Sequence, residues 1–186
     1  FLTVSINAPH DDYTVSDKFL NMYDVNDIKK PASFDDDLKD KPNIYQREQR
    51  VWASMEWPDF AQAIRHYYAL LSYVDEMAGR LLNALDRTSQ MENTVFIWTA
   101  DHGDLVGSHR LFTKGVFSFD ETYHIPMLIR WPGVVKPGSK CDEFVRLIDL
   151  PPSLVEIAGG CALEPCDGKS ILPLLKGARP KDWPED

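Results

Sequence analysis

Two groups of polar residues in this sequence could act together on an anion. Asp101 and His102 follow a continuous β-branched and aromatic run, and a carboxylate beside an imidazole can offer oxygen and nitrogen to one divalent cation. The glycine-containing loop that follows carries Lys114 within chain reach of this pair. A lysine ammonium suits a tetrahedral oxyanion, so a metal and a lysine could hold an anionic group between them. Taken alone, an Asp-His-Gly sequence is equally typical of a turn.

A single histidine, His10, follows the first apolar segment of the chain. Residues 1–7 favour a strand, and Pro9 cannot continue a central ladder, so the sequence predicts a strand that ends at His10. The apolar run 94–100 predicts a second strand, parallel and buried on both faces. Ligand sites gather at the carboxyl ends of strands in an open α/β sheet. If these strands are parallel neighbours, His10 and the Asp-His pair share one edge of the sheet.

The elements between these motifs follow an α/β order. After Pro58, apolar residues recur in steps of three or four as far as Leu85, which predicts one long amphipathic helix ended by a turn at 88–90. A third strand is predicted at 126–131, and residues 150–160 read as a helix with prolines at its start and glycines at its end. The order strand, helix, strand, strand, helix defines an α/β fold.

The segment 11–57 shows no sustained periodicity and is interpreted as a long surface excursion. Long irregular segments that leave a strand end often carry function, and a plain solvated insertion fits the pattern equally well. Its acidic run at 35–37 is interpreted as a solvated face.

Composition excludes some classes of function. The net charge of −9 argues against a protein that binds nucleic acid, and no apolar run approaches the roughly 18 residues that span a bilayer. Cys141, Cys161 and Cys166 form no Cys-x-x-Cys pair. They are interpreted as ordinary thiols, with a Cys161–Cys166 disulfide as the alternative.

An ordered set of motifs resembles the second half of the sulfatase family, which belongs to the alkaline phosphatase superfamily. The set comprises Ala8-Pro9-His10, Tyr67-Tyr68-Ala69, Val74-Asp75, Thr99-Ala100-Asp101-His102-Gly103, Gly107-Ser108-His109, Lys114-Gly115 and the run 125–133. The resemblance implies that residues 1–160 form part of a sulfatase catalytic domain, with a mixed, mostly parallel sheet flanked by helices. Residues 161–186 would begin the C-terminal region.

The resemblance also implies roles for individual residues. Asp101 and His102 would be metal ligands, and Lys114 and His10 would act in catalysis by holding the sulfate oxygens or assisting the leaving group. His109 would either line the substrate site or only hold its loop. Oxygen-rich ligation favours calcium, and magnesium or manganese are also compatible. The substrate would be a small-molecule or glycan sulfate ester, with segment 11–57 as the candidate for specificity.

The sequence departs from the family pattern at the nucleophile. Sulfatases use a formylglycine made from Cys or Ser in a Cys-x-Pro-Ser-Arg-like motif, and none of the three cysteines here stands in such a motif. The formylglycine and further acidic metal ligands are therefore expected upstream of Phe1. Since the chain has no initiator Met and begins within a predicted strand, it is expected to be cut from a longer protein and to be inactive on its own.

Two alternatives stay open from the sequence. The first is a phosphonate or phosphate monoester hydrolase of the same superfamily, which would bind the phosphoryl group with similar metal, His and Lys groups. The second is a non-catalytic protein that retains the fold. Family resemblance suggests a periplasmic, secreted or lysosomal location. The sequence does not indicate the oligomeric state.

Overall fold

The computed structural model describes residues 1–161 and 163–184. Its helices and strands are α1 (Asp17–Leu20), α2 (Asn43–Gln49), α3 (Trp57–Arg87), β1 (Phe96–Thr99), α4 (Asp120–Tyr123), β2 (Met127–Arg130), α5 (Leu150–Ile157) and α6 (Leu172–Leu175). The described chain forms two compact units. The first comprises Phe1–Met91 with His102–Pro126, and the second comprises Glu92–Asp101 with the described residues from Met127 onward.

Helix α3 is the long amphipathic helix that the periodicity predicts. It begins at Trp57, where the Glu56 amide donates to the Asp59 carboxylate at 2.9 Å and Pro58 occupies the first turn. It ends at Arg87, before the predicted turn. Its buried face is lined by Phe60, Ala61, Ile64, Ala69, Leu70 and Val74. The prediction of one continuous helix is confirmed.

Segment 11–57 contributes to the core of the first unit, so its interpretation as a surface excursion is wrong. Phe34 packs with Phe60 and Phe112, and the fully buried Leu38 packs with residues of the loop after β1. These apolar residues are held by short helices and turns rather than by one regular element. Their spacing therefore has no period, and a search for periodicity does not detect them.

The second unit contains a two-stranded sheet. Strands β1 and β2 pair antiparallel, with Ile97 opposite Ile129 and Trp98 opposite Leu128. The positions of both predicted strands are confirmed. The parallel direction and the two-sided burial predicted for the first of them are wrong within the described residues, because every residue of β1 is partly exposed. An apolar run indicates a strand and does not specify the direction of its neighbour.

Residues 1–7 form no strand, contrary to the prediction. Phe1 is 103% exposed and Leu2 is 82% exposed, and within residues 1–161 and 163–184 no strand pairs with this segment. A strand needs a ladder of backbone hydrogen bonds as well as a favourable sequence. Strand pairing therefore does not place His10 and the Asp-His pair at one edge of a sheet.

Helix α5 is predicted correctly and packs against the chain that follows it. The buried carboxylate of Asp149 accepts from the Lys169 amide at 2.8 Å, and Ser153 Oγ accepts from the Ile171 amide at 2.8 Å. Gly159, with φ +78°, follows the helix as the predicted glycine stop. Since the second unit contains residues on both sides of position 160, the domain boundary there stays a prediction.

Two expectations from composition concern disulfides and membrane-spanning helices. All three cysteines are exposed thiols in the described structure, so the alternative of a Cys161–Cys166 disulfide is wrong there. No helix among the described residues is both long and apolar enough to cross a bilayer.

Candidate active site

His10 and Lys114 lie in contact in the first unit, although 104 positions separate them in the sequence. The Lys114 ammonium touches His10 Nε2. His10 Nδ1 faces two oxygens of Asp11, the backbone carbonyl at 3.0 Å and the carboxylate at 2.7 Å. Because both oxygens can only accept, Nδ1 carries a proton, and Nε2 is the acceptor for the ammonium when the ring is neutral.

His102 lies beside this pair. Its ring centroid is 6.0 Å from that of His10, with the two rings at 69° to each other. His102 Nδ1 lies 2.9 Å from the carbonyl oxygen of Gly103 and must donate to it. The structure therefore brings together three of the residues that the sequence singles out. Their chemical roles stay predictions.

Asp101, the other predicted metal ligand, follows β1 and is exposed. It precedes His102 directly in the chain and belongs to the second unit. Among residues 1–161 and 163–184, no group of three or more His, Cys, Asp or Glu side chains is arranged to hold a metal ion. Asp101 and His102 together supply two donors, whereas calcium takes six to eight oxygen ligands.

The loop that carries Lys114 is closed on the side chain of Asp104. One carboxylate oxygen of Asp104 accepts from the amides of Val106 at 3.0 Å and Thr113 at 2.9 Å. The other oxygen accepts from the Tyr13 hydroxyl at 3.0 Å. Thr113 immediately precedes Lys114, so Asp104 fixes the position from which the lysine side chain extends.

Sequence reasoning passed over Asp104 and Tyr13. The contact of Asp104 with the amide two residues ahead is an Asx-turn, which an aspartate in a loop can signal. The bonds to Thr113 and Tyr13 span 9 and 91 positions and carry no local signal. Burial, followed by the nearby Asp104 charge, holds the pKa of Tyr13 far above its usual value.

Tyr67 shares this environment and gives a prediction about alkaline pH. Burial, with a smaller effect of the Asp104 charge, raises the pKa of Tyr67 from 10.0 to about 12. The folded state therefore keeps the phenol proton where the unfolded chain loses it. The contribution of Tyr67 to the free energy of unfolding is fully present below pH 10 and should be lost as the pH rises from 10 to 12.

Urea unfolding at pH 8, 10 and 11 measures this effect. Tyr67→Phe should lose stability less steeply above pH 10 than the unmodified chain. Tyr123, which is 72% exposed, provides the matched control Tyr123→Phe, which should keep the original slope. Identical slopes for all three proteins would contradict the assignment.

His109 lies in a second cluster of the first unit. Its Nδ1 is 2.8 Å from the Asp36 carboxylate, and its ring stacks on Phe119 with centroids 3.9 Å apart. Its carbonyl accepts from Gln49 Nε2 at 2.8 Å. His109 therefore links the lysine loop to segment 11–57. It also lines a surface depression. Its two alternative roles, lining the substrate site or only holding the loop, both stay predictions.

Asp36 corrects the interpretation of the acidic run as a solvated face. The Leu38 amide and, to a smaller extent, His109 hold the pKa of Asp36 below its usual range. Its neighbours Asp35 and Asp37 are exposed, as expected. The middle member of the run is thus a structural hydrogen-bond partner of His109. No sequence signal connects it with His109, because the two residues are 73 positions apart.

Comparison with known proteins identifies the family. The sulfatase family model matches residues 1–160. A choline-sulfatase from Rhizobium meliloti is 31% identical over 95% of this chain and 35% of its own length. An N-acetylglucosamine-6-O-sulfatase from Bacteroides thetaiotaomicron is 34% identical over 70% of this chain and 24% of its own length. The chain belongs to the sulfatase family.

A solved structure supports the fold. The phosphonate monoester hydrolase from Silicibacter pomeroyi superposes with a TM-score of 0.86 at 28% identity, covering 95% of this chain and 37% of that protein. The fold is that of the alkaline phosphatase superfamily, as the sequence predicts. The chain spans between 24% and 37% of the length of these three proteins.

Proposed function

We propose that this chain supplies the sulfate-binding and metal-binding groups of a sulfuric ester hydrolase. The observation that carries the proposal is the contact of Lys114 with His10, beside His102, in a chain of the sulfatase family. These cationic and hydrogen-bonding groups come from distant parts of the sequence. Converging groups of this kind are suited to stabilising negative charge on transferring oxygens.

Lys114 and His10 would interact with different oxygens of the sulfate ester. The Lys114 ammonium donates hydrogen bonds to non-bridging sulfate oxygens. His10, once protonated at Nε2, donates to the bridging oxygen as the alcohol leaves, while Asp11 keeps the ring oriented through Nδ1. The present contact between Lys114 and His10 would open to admit the sulfate group between them.

Asp101 and His102 have donor atoms that fit a divalent cation. Since His102 Nδ1 donates to the Gly103 carbonyl, Nε2 is the nitrogen with the lone pair that a cation would bind. The carboxylate of Asp101 supplies a hard oxygen, which favours calcium, with magnesium or manganese also compatible. The cation would supply positive charge against the sulfate oxygens.

The nucleophile of this reaction would lie outside these 186 residues. No cysteine or serine of the sequence is followed by the x-Pro-x-Arg pattern that marks the formylglycine site of the family. We therefore propose that the chain by itself does not turn over sulfate esters. The substrate of the whole protein would be a sulfate ester of a sugar or of a small alcohol, as the names of the relatives suggest.

Phosphonate monoester hydrolysis is the second candidate function, because a hydrolase of that class superposes with a TM-score of 0.86. The full-length protein should be assayed with 4-nitrophenyl sulfate and 4-nitrophenyl phenylphosphonate. We expect the larger kcat/KM with the sulfate, loss of activity with a chelator and recovery with added calcium. A preference for the phosphonate would favour the second candidate, and activity that survives chelation would contradict the metal proposal.

A further inference from the structure

The two oxygens of one carboxylate, that of Asp104, hold the two chain segments that bring His10 and Lys114 together. Oδ1 accepts from the amide of Thr113 at 2.9 Å, and Thr113 directly precedes Lys114. Oδ2 accepts from the hydroxyl of Tyr13 at 3.0 Å, and Tyr13 follows His10 by three residues. Asp104 therefore joins the segment that carries His10 to the loop that carries Lys114.

The lysine side of this connection is held by the backbone as well as by the carboxylate. The Thr113 carbonyl accepts from the Leu105 amide at 3.0 Å, so both backbone polar groups of Thr113 are bonded. Phe112, the residue before it, is buried and stacks on Phe60 with ring centroids 4.9 Å apart. The backbone from which Lys114 extends therefore has a defined position relative to the carboxylate.

The histidine side of the connection is anchored on helix α3. The Tyr13 carbonyl accepts from Nδ1 of His66 at 3.1 Å, and the Tyr13 ring packs edge-on against Tyr67 with centroids 5.4 Å apart. His66 and Tyr67 both belong to α3, so Tyr13 keeps these contacts when its hydroxyl is removed. The hydroxyl is the group that connects this anchored segment to Asp104.

The proposed reaction requires a fixed spacing between its two donors. Lys114 would donate to non-bridging oxygens and His10 to the bridging oxygen, and both kinds of oxygen are bound to the same sulfur. The sulfate group therefore sets the spacing of these oxygens, and the protein has to match it. A displacement of about 1 Å between reacting groups can lower a rate by about 100-fold.

We infer that Asp104 and Tyr13 are positioning residues for the hydrolysis, because their hydrogen bond sets the placement of His10 relative to Lys114. Neither residue touches the ester, and each acts through a neighbour in the chain. The inference rests on the proposed function, since the spacing matters only if Lys114 and His10 act on the same sulfate group.

The hydrogen bonds of Asp104, rather than its charge, account for this role. Asp104→Asn keeps Oδ1, which can accept from both loop amides, and replaces Oδ2 with an amide nitrogen that donates. The Tyr13 hydroxyl both donates and accepts, so it can accept from that nitrogen. Asparagine should therefore maintain the connection, whereas alanine removes it.

The test compares two esters with different leaving groups in the full-length protein. Phenol is a weaker acid than 4-nitrophenol, so phenyl sulfate depends more strongly on the proton that His10 donates to the departing oxygen. The measured quantity is kcat/KM, which covers the steps up to departure of the alcohol. The ratio of the value for 4-nitrophenyl sulfate to the value for phenyl sulfate is independent of any loss of folded protein.

Loss of the connection should raise this ratio. Tyr13→Phe should lower kcat/KM about tenfold for phenyl sulfate and about twofold for 4-nitrophenyl sulfate. Asp104→Ala should lower kcat/KM about 100-fold for phenyl sulfate and about tenfold for 4-nitrophenyl sulfate. Asp104→Asn should stay within about threefold of the unmodified enzyme for both esters. His10→Ala, which removes the donor itself, should raise the ratio most.

Tyr23→Phe is the matched control for Tyr13→Phe. The Tyr23 hydroxyl lies 2.6 Å from Ser72 Oγ, so this variant also removes a tyrosine hydrogen bond between segment 11–57 and another part of the first unit. It should leave the ratio unchanged. Unfolding midpoints show which variants are folded at the assay temperature, and Tyr13→Phe with Asp104→Asn completes the test if Asp104→Ala does not fold.

The inference and the proposed function fail in different ways. A raised ratio in His10→Ala, with an unchanged ratio in Tyr13→Phe and Asp104→Ala, would overturn the positioning role and leave the proposed function intact. Asp104→Asn as impaired as Asp104→Ala would also overturn it, because the retained hydrogen bonds would not then support activity. An unchanged ratio in His10→Ala would refute the proposed role of His10 as proton donor, and the inference with it.

Discussion

Replacing Gly103 with alanine should lower the free energy of unfolding by about 3 kcal/mol or more, which places this position among the severe packing substitutions. The added Cβ would stand 1.9 Å from the Glu121 carbonyl oxygen and 3.0 Å from its carbonyl carbon. Both are backbone atoms and cannot rotate away. The Gly103 amide also donates to the Thr122 carbonyl at 2.9 Å, and separating the two segments would break this bond.

Gly79→Ala is the matched control for this substitution. Gly79 lies within α3, where an added Cβ meets nothing within 4 Å. Alanine should therefore raise stability there by about 0.5–1 kcal/mol, since it restricts the unfolded chain and favours the helix. Chemical denaturation of the three proteins gives both values. A Gly103→Ala chain as stable as the unmodified one would mean that the backbones at 103 and 121 are not packed as described.

Replacing Asp104 with alanine should destabilise the first unit by about 3 kcal/mol, because three hydrogen bonds to one charged group are lost together. Two of them close the loop that leads to Lys114, through the amides of Val106 and Thr113. The third comes from Tyr13. The loss of stability should be largest in this loop, so its amides should exchange with solvent faster than those of α3.

Tyr13→Phe is the comparison for Asp104→Ala, because it removes one of the three bonds and should cost about 1 kcal/mol. Hydrogen exchange followed by mass spectrometry resolves the loop from the rest of the unit. Uniform acceleration of exchange across the unit would argue that Asp104 has no special role in the loop. Equal destabilisation by both substitutions would assign the effect to Tyr13 alone.

Regular elements with a clear period could be predicted from the sequence. The steps of three and four residues between Phe60 and Leu85 locate α3 to within a few residues at each end, because burying one face of a helix imposes this spacing. The antiparallel pairing of β1 and β2 could not be predicted in the same way. Strand direction depends on the path of the chain, and a continuous apolar run contains no information about it.

The residues of the candidate site could be predicted from the sequence. The chain segments and contacts that position them could not. Residue type and order single out His10, His102 and Lys114, and the structure groups them. The explanation by neighbouring strands was wrong, since residues 1–7 are exposed and form no strand. The pairings of Asp104 with Tyr13 and of Asp36 with His109 bring together residues far apart in sequence. Such contacts depend on the folded chain as a whole.

The kcat/KM of the full-length protein for 4-nitrophenyl sulfate tests directly whether Lys114 holds the sulfate group. Lys114→Ala should lower kcat/KM by about 100-fold or more, as expected when a group that stabilises transition-state charge is removed. The exposed Lys140 gives the matched control Lys140→Ala, which should leave it unchanged. A Lys114→Ala protein that is folded and retains kcat/KM within about twofold of the unmodified enzyme would contradict the proposed role of Lys114 in holding sulfate.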